Sequence, residues 1–441
     1  MSAMKIKKQI ASLLVLTVLL TVSAQNAFSS SDTASTDAVT LKSLIQEALK
    51  ENPSIKSAKY RWGAAIERLP QVNSLPDPWL SFTYFPEPIE TRLGPNDSKF
   101  MFTQAVPYLK KLSVKESIAG SDARIAELEY KREIRSVITA VSESYFELLY
   151  LQNALETTSN QKDILTEITK IGAADYAADS ATLNDVLTAQ GKLAQLNYDY
   201  LLIVELMETE RARLNSLLNR SPDAELGGLE NLTAVVKHEL DELYDIAKDN
   251  REEIEILNAG IAKMDEMTEL AKLSSYPDFK FSLLYSQIGE PDGMQPVDAG
   301  RDAYGVTVGL TIPIWGEKNR AGVSEQMLKK RALIEKKNNS INMTNSKINS
   351  LYFKMNNAKR LMELYSGTLI PQAKETMLKA QEWYKQRGTS FSQFLETQSV
   401  WLNFKLAYQR AAADHNKYAV RLQNLLGINL DYADPKAKEG E

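Results

Sequence analysis

Cysteine is absent from the 441-residue chain, and histidine occurs only as His238 and His415. The first absence removes disulfides, thiolate metal sites, cysteine nucleophiles and the lipidated cysteine of a bacterial lipoprotein. The second argues against a multi-histidine metal site within one chain. Glycine (19) and proline (15) are scarce for this length, so much of the chain is free to run as continuous helix. A basic excess is also missing: the formal charge is -5, which argues against a nucleic-acid binder. Long apolar runs are missing after residue 22, so no later segment can span a bilayer as a helix, and any later crossing must use strands.

The one apolar run, Ile10 to Val22, follows Lys5, Lys7 and Lys8 and ends in Val-Ser-Ala at 22–24. This is the order of a secretory signal peptide, assigned to 1–24 and followed by a flexible polar segment at 25–39. Cleavage removes those three lysines from the 52 basic residues against 57 acids, leaving a charge near -8.

The remainder is organised by a duplication, a first repeat at 40–226 and a second at 227–428, with a tail at 429–441. Leu44, Ala48 and Asn52 correspond to Leu243, Ala247 and Asn250, and Pro76-Asp77 to Pro277-Asp278. Later the register holds at an offset of 208: Val186, Leu187, Gln190, Leu214, Leu217 and Leu218 match Phe394, Leu395, Gln398, Leu422, Leu425 and Leu426. Each half reads helix, strand, strand, long helix, turn, long helix.

Strands are predicted at about 79–86, 99–106, 278–287 and 304–312. Tyr304, Val306, Val308, Leu310 and Ile312 alternate with Gly305, Thr307, Gly309 and Thr311; Leu80, Phe82 and Tyr84 alternate with Ser81 and Thr83. Phe279, Phe281, Leu283 and Tyr285 do the same, with Leu284 the exception. Apolar outside and polar inside is the pattern of a water-filled barrel wall, although a soluble half-buried sheet alternates identically. Gly94-Pro95-Asn96-Asp97 and Gly289–Asp302 read as the two hairpin loops. Four strands cannot close a barrel and lipid tolerates no open edge, so a membrane sheet requires several copies; three give 12 strands. The aromatics Trp79, Tyr84, Tyr108, Tyr304 and Trp315 near the strand ends are candidates for membrane-interface girdles. Trp62, Trp383 and Trp401 lie on helices and read as packing.

The helices carry heptads: Ile334, Ile341, Ile348, Met355, Met362 and Leu369; Ile134, Val141, Leu148 and Leu155; Phe394, Trp401, Tyr408, His415 and Leu422. Ser113–Lys170 is expected to be ~87 Å long and Lys318–Gln386 ~104 Å at the helical rise, far beyond globular helices. In each half a short helix and the returning helix together match the long one, which predicts end-to-end stacking into a tube of uniform wall.

At this point the chain resembles the TolC family of outer-membrane efflux and secretion channels, from Leu41 to about Leu426. The resemblance rests on the duplication, the Asn52-Pro53 break, Leu75-Pro76-Asp77-Pro78, Ile312-Pro313-Ile314-Trp315-Gly316 and two D/Q-V/F-L-x-x-Q helix starts. It implies a mainly α fold with a small β part, a long α-helical coiled-coil barrel plus four strands per chain in a trimeric 12-stranded barrel. It further implies a homotrimer in the Gram-negative outer membrane, in contact with its lipid, and closed at the periplasmic end until a periplasmic adaptor (membrane fusion) protein and an inner-membrane pump of RND or ABC type engage. The chain departs from the family in lacking the lipidated cysteine. It also has Gln393 and Glu396 where the family places two carboxylate rings, so one acidic ring remains. Asp185 would match the gate aspartate and Tyr384 the gate tyrosine.

Independently of the family, a threefold axis turns an inward carboxylate into a ring of charge. Asp175, Asp179, Asp185 and Glu396 lie near the turns expected at Gly172–Ser180 and Arg387–Ser390, where Gly172 and Gly388 would end helices and present the tip to an adaptor. No phosphate loop, metal motif or Ser/His/Asp arrangement can be placed, so no enzyme activity, cofactor or metal is assigned. Met355 and Met362 sit in the heptad seam, where packing explains them better than copper export. The alternative reading is a periplasmic adaptor or coiled-coil scaffold without a pore, which would normally carry one helical hairpin flanked by β-rich domains.

Overall fold

A computed structural model describes residues 39–293, 296–386, 390–428 and 431–433. The predicted signal peptide, Arg387, Gly388 and the end of the tail lie outside them. In the first half, α1 (Leu41–Glu51), α2 (Pro53–Ile66) and α3 (Arg68–Asn73) precede β1 (Trp79–Thr91), β2 (Gly94–Val106), α4 (Leu109–Ala177) and α5 (Leu183–Leu217). A link containing β3 (Thr233–Val235) leads to the second half. There α6 (Leu240–Asn250), α7 (Glu252–Leu273), β4 (Phe279–Ile288), β5 (Ala303–Leu310), α8 (Gly316–Leu364), α9 (Ile370–Lys385) and α10 (Phe391–Leu426) repeat the order. A short strand, β6 (Asp431–Ala433), pairs with β3. No helix among the described residues is long and apolar enough to cross a membrane.

Both long helices exceed the lengths expected from sequence. The first, α4, has 69 residues, ~104 Å at 1.5 Å per residue. Its counterpart is continuous from α8 (49 residues) through a five-residue π-helical turn at Tyr365–Leu369 into the 16 residues of α9. The π turn has a covalent cause. Pro371 has no N–H to give Gly367, and the Ile370 N–H bonds Tyr365 O five residues back instead. Proline also divides the short helix of the first half into α2 and α3. Pro70 cannot donate to Ile66, and the helix restarts after Glu67.

The expected end-to-end stacking is built from named atoms. Asn52 caps α2 by accepting from the N–H groups of Ser54 (2.9 Å) and Ile55 (3.3 Å). Its Nδ2 donates to Leu217 O at the end of α5 (2.8 Å), so one side chain joins the returning helix to the short one above it. In the second half Gly427, at φ 70, ends α10 against the Asn250 carbonyl, where a Cβ would overlap that oxygen. Buried Val141, Tyr145, Phe146 and Leu148 of α4 meet Leu44, Ile55, Leu214 and Val420 here.

Ionic and polar contacts tie the halves together at the same level. Glu147 of α4 accepts from Arg410 (2.8 Å) and Lys417 (2.5 Å) of α10, and Arg410 also holds Asp414 (2.6 Å). Burial raises the Glu147 pKa, but these two cations outweigh it and hold the group below its ordinary 4.5. A carboxylate with a depressed folded pKa contributes stability that is complete above the unfolded value and lost as pH falls through the folded one. Helicity of the purified protein is therefore expected to melt at lower temperature below about pH 4 than at pH 7. Glu147→Gln should flatten that dependence; an equal slope in circular-dichroism melts of both proteins would count against this role.

The four long strands form one antiparallel sheet in the order β1-β2-β4-β5, so β1 and β5 are its edges. The first hairpin differs from expectation. Its turn is Arg92-Leu93, with Thr91 paired to Gly94, so Gly94–Asp97 begins β2 rather than forming the loop. Thr91 Oγ1 accepts from Leu93 N (3.3 Å) and donates to Gly94 O (2.7 Å), which closes the chain early. Gly94 (φ 128) lies against the Gly289 carbonyl, and Gly289 N donates to Pro95 O (2.8 Å), so the two hairpin ends are packed together. Gly94→Ala meets both a clash and an unfavourable φ. It is expected to cost about 1–3 kcal/mol, read as lowered thermal stability, with Gly293→Ala, whose Cβ meets nothing within 4 Å, as the control for φ alone.

Candidate functional site

The sheet carries two chemically distinct faces. Across the strands Leu80 pairs with Phe102, Phe102 with Leu283 and Leu283 with Val306. The next row is aromatic throughout: Phe82, Phe100, Tyr285 and Tyr304, with successive ring centroids 4.7, 6.1 and 5.3 Å apart. This face is open to the surroundings. Tyr304 is 80 % exposed, Val306 76 % and Leu80 69 %. A contiguous apolar face of this kind on a folded protomer marks contact with lipid or another chain. The opposite face has the rows Trp79-Thr103-Ser282-Thr307 and Ser81-Met101-Leu284-Gly305. Leu284, the exception in the alternation, packs onto Gly305, which has no side chain to exclude it.

The five strand-end aromatics fall into two groups. Tyr84 and Tyr304 are on the apolar face toward the hairpins. Trp79, Tyr108 and Trp315 are at the helical end, where Tyr108 stacks on Tyr276 (4.9 Å) and exposed Trp315 precedes α8. Trp79 shares the face of Ser81 and Thr83, so it does not extend the row of Leu80 and Phe82. Trp383 is exposed, unlike the packing expected of it, whereas Trp62 stacks on Tyr130.

At the far end the two helical hairpins meet. Residue 179, not 172, makes the first turn: Asp179 adopts φ 55, Ser180 N donates to Asp175 O, and Thr182 caps α5. Gly172 is buried within α4, where the Phe391 ring fills the space a Cβ would need. Asp185 closes a capping box, accepting from Thr182 Oγ1 (2.7 Å) while its N–H donates back (3.2 Å). Its second oxygen accepts from Ser392 Oγ (2.7 Å) on α10. The Ser392 bond, with help from Thr182, holds this carboxyl below the usual range. Asp185 therefore joins the hairpins through neutral hydroxyl donors, with no cation paired to it among the described residues.

Tyr384 is bonded to Asp175, not Asp185. Its hydroxyl donates to Asp175 Oδ2 at 2.5 Å, and its ring stacks on Phe394 (5.9 Å, 7°) and leans on Phe391 (5.3 Å). Burial, then the Asp175 carboxylate, pushes the phenol pKa well above its ordinary value, so it stays a donor. Glu396 is exposed but faces Lys192 (3.4 Å), and the Ser390 hydroxyl accepts from Gln393 N (3.3 Å). Buried Leu165, Ile168, Ala189, Phe391, Phe394 and Leu395 lie beneath.

Repeat-equivalent residues at this end have unequal surroundings. Leu395 is 1 % exposed, yet its equivalent Leu187 is 56 % exposed. Buried Gln398 accepts from Gln161 Nε2 (3.1 Å), whereas Gln190 is exposed. The second hairpin thus uses this side chain inside the protomer, and the first leaves the same side chain uncovered.

No protein-family model and no curated protein sequence matches the chain. Solved structures do. The outer-membrane protein VceC of Vibrio cholerae superposes with a TM-score of 0.72 at 18 % identity, over 89 % of this chain and 97 % of that one. The open-state outer-membrane channel MtrE of Neisseria gonorrhoeae gives 0.69 at 15 % identity, over 88 % and 89 %. The CmeC outer-membrane channel of Campylobacter jejuni gives 0.67 at 16 %, over 88 % and 85 %. The chain has the TolC-like fold: mainly helical, with a small antiparallel four-stranded sheet. The expectation of a mainly α fold with a small β part of four strands per chain is met.

Proposed function

We propose that the chain is the outer-membrane component of a tripartite efflux or secretion system, a passive duct through the outer membrane and periplasm. The observation that carries this reading is the sheet. It presents an apolar face, a polar face and two open edges at the end of helices ~100 Å long. Lipid satisfies the first, water the second, and only neighbouring copies the third. VceC, MtrE and CmeC, outer-membrane proteins by name, support the same location.

Three copies supply twelve strands. The unequal repeat positions favour the same closed ring, because the contact Leu395 makes within the protomer is the one Leu187 leaves for a neighbour. Tyr108 and Trp315 would mark one membrane interface and Tyr84 and Tyr304 the other, whereas Trp79, on the polar face, would be turned to the lumen. At the periplasmic tip, Asp185, Tyr384, Gln393 and Glu396 would hold the duct closed, with Tyr384 acting through Asp175. Asp175, Asp179 and the exposed turn would meet the adaptor, and the adaptor an inner-membrane pump. A pore-less scaffold would leave the apolar sheet face without a purpose.

Planar-bilayer recording of the detergent-purified protein tests this. Discrete conductance steps are expected, and a folded product that never conducts would overturn the duct.

A further inference from the structure

The polar face of the sheet has a charge pattern that the proposed duct does not require. Four rows can be followed across all or most of the strands. They are Thr83-Lys99-Ser286-Ala303, Ser81-Met101-Leu284-Gly305, Trp79-Thr103-Ser282-Thr307 and Ala105-Lys280-Gly309. Their charged members are Lys99 and Lys280 alone, and no carboxylate shares this face within the rows. Neither lysine makes an ion pair among the described residues.

The neighbours explain why both charges stay uncompensated. Lys280 lies between Ala105 and Gly309, and its stem rests against Gly309, so nothing beside it on the sheet can reach its ammonium. The nearest carboxylate along the strand, Asp278, is occupied by Lys111 Nζ (2.8 Å) and the Tyr108 N–H (2.8 Å). Lys99 lies between Thr83 and Ser286, with its Nζ 5.4 Å from the Phe85 ring centroid. The nearest carboxylate along that strand, Asp97, makes no ion pair with Lys99 among the described residues and lies beside Gly289 at the hairpin end. Asp302 is tied to Tyr285 Oη (2.7 Å) and Ile288 N (3.0 Å).

We propose that the membrane-spanning part of the duct selects for anions, and that the cargo is a class of negatively charged organic molecules. The inference rests on the trimeric-barrel reading, in which this face lines the lumen. Threefold symmetry then makes Lys280 a ring of positive charge toward the periplasmic mouth and Lys99 a second ring toward the hairpins. Rings of lysine favour anions over cations through a pore. Uncharged Ser, Thr and Gly between the rings leave nothing to cancel that field. At 0.1 M salt or below, the field of each ring reaches ~10 Å or more into the lumen.

Reversal potentials in a planar bilayer at 0.1 M salt or below test this, with benzenesulfonate as the organic anion and tetraethylammonium as the cation. The wild-type channel is expected to pass benzenesulfonate about threefold or more in preference, and K99Q/K280Q to reduce that ratio at least about threefold. The single variants K99Q and K280Q, each replacing a side chain with small neighbours, should give intermediate ratios if the double variant fails to assemble. A wild-type preference for tetraethylammonium, or a ratio that lysine removal leaves unchanged, overturns anion selection while the duct stands. Assembled protein that never conducts overturns the duct and this inference with it.

Discussion

Leu283→Arg is expected to prevent the protein from being recovered from the outer membrane in assembled form, while Ser282→Arg, one residue earlier, is expected to be tolerated. Leu283 sits mid-strand on the exposed apolar face between Phe102 and Val306, and Ser282 on the polar face between Thr103 and Thr307. Arginine on a lipid face costs about 2–4 kcal/mol at the bilayer midplane and little on a wetted wall. In a threefold assembly the cost is repeated in each copy, which is comparable with the whole stability of an ordinary domain, about 5–15 kcal/mol. The two variants introduce the same residue at adjacent positions of one strand, so the face it meets is the main difference between them. Equal recovery of both from detergent-extracted membranes would mean that the apolar face does not meet lipid.

Tyr384→Phe is expected to open the periplasmic end. The substitution keeps the ring that stacks on Phe394 and removes only the hydroxyl that donates to Asp175 Oδ2. A hydrogen bond to a charged group contributes about 1.5–3 kcal/mol, and the lower figure suits a half-exposed tip. That is about tenfold in the closing equilibrium of each protomer. Mean conductance or open fraction should rise correspondingly, and Asp175→Asn added to Tyr384→Phe should bring little more, because both remove one bond. Asp185→Asn should act separately, through Ser392 and the start of α5. If Tyr384→Phe left the current unchanged while Asp185→Asn raised it, closure would rest on the capping box and not on the phenol.

Features that depend on local periodicity were legible in the sequence. Two-residue alternation around Tyr304–Leu310 foretold the two faces, and the proline and glycine deficit foretold helices of unusual length. The matching length sums of short and returning helices foretold the stacking that Asn52 and Gly427 now explain. What escaped depends on contacts between distant segments. Gly94-Pro95-Asn96-Asp97 has ideal turn composition, but the Thr91 side chain and the neighbouring hairpin close the chain two residues earlier. Repeat alignment pairs Asp185 with Gln393, yet the partner of Tyr384 is set by how α9 crosses the end of α4, which no offset within one helix encodes. The Glu147 cluster was missed for the same reason, although Arg410 and Asp414, four residues apart, were a visible signal. His415 belongs to the heptad seam by its spacing from Tyr408 and Leu422. Its ring lies between Met355 O (3.2 Å from Nδ1) and Ala234 O (3.3 Å from Nε2), and either neutral tautomer donates to one of them, tying α10 to α8 or to β3. Duplication itself concealed one fact: equal residues such as Leu187 and Leu395 acquire unequal environments once one hairpin packs on the other.

That inequality leads to the most direct test. The mass of the intact particle, extracted from the membrane in mild detergent and measured by native mass spectrometry, counts the chains that close the sheet. Three copies, dissociating to single chains only when the sheet unfolds, are the predicted result. A particle holding one chain would leave β1 and β5 unpaired in lipid and would contradict the account.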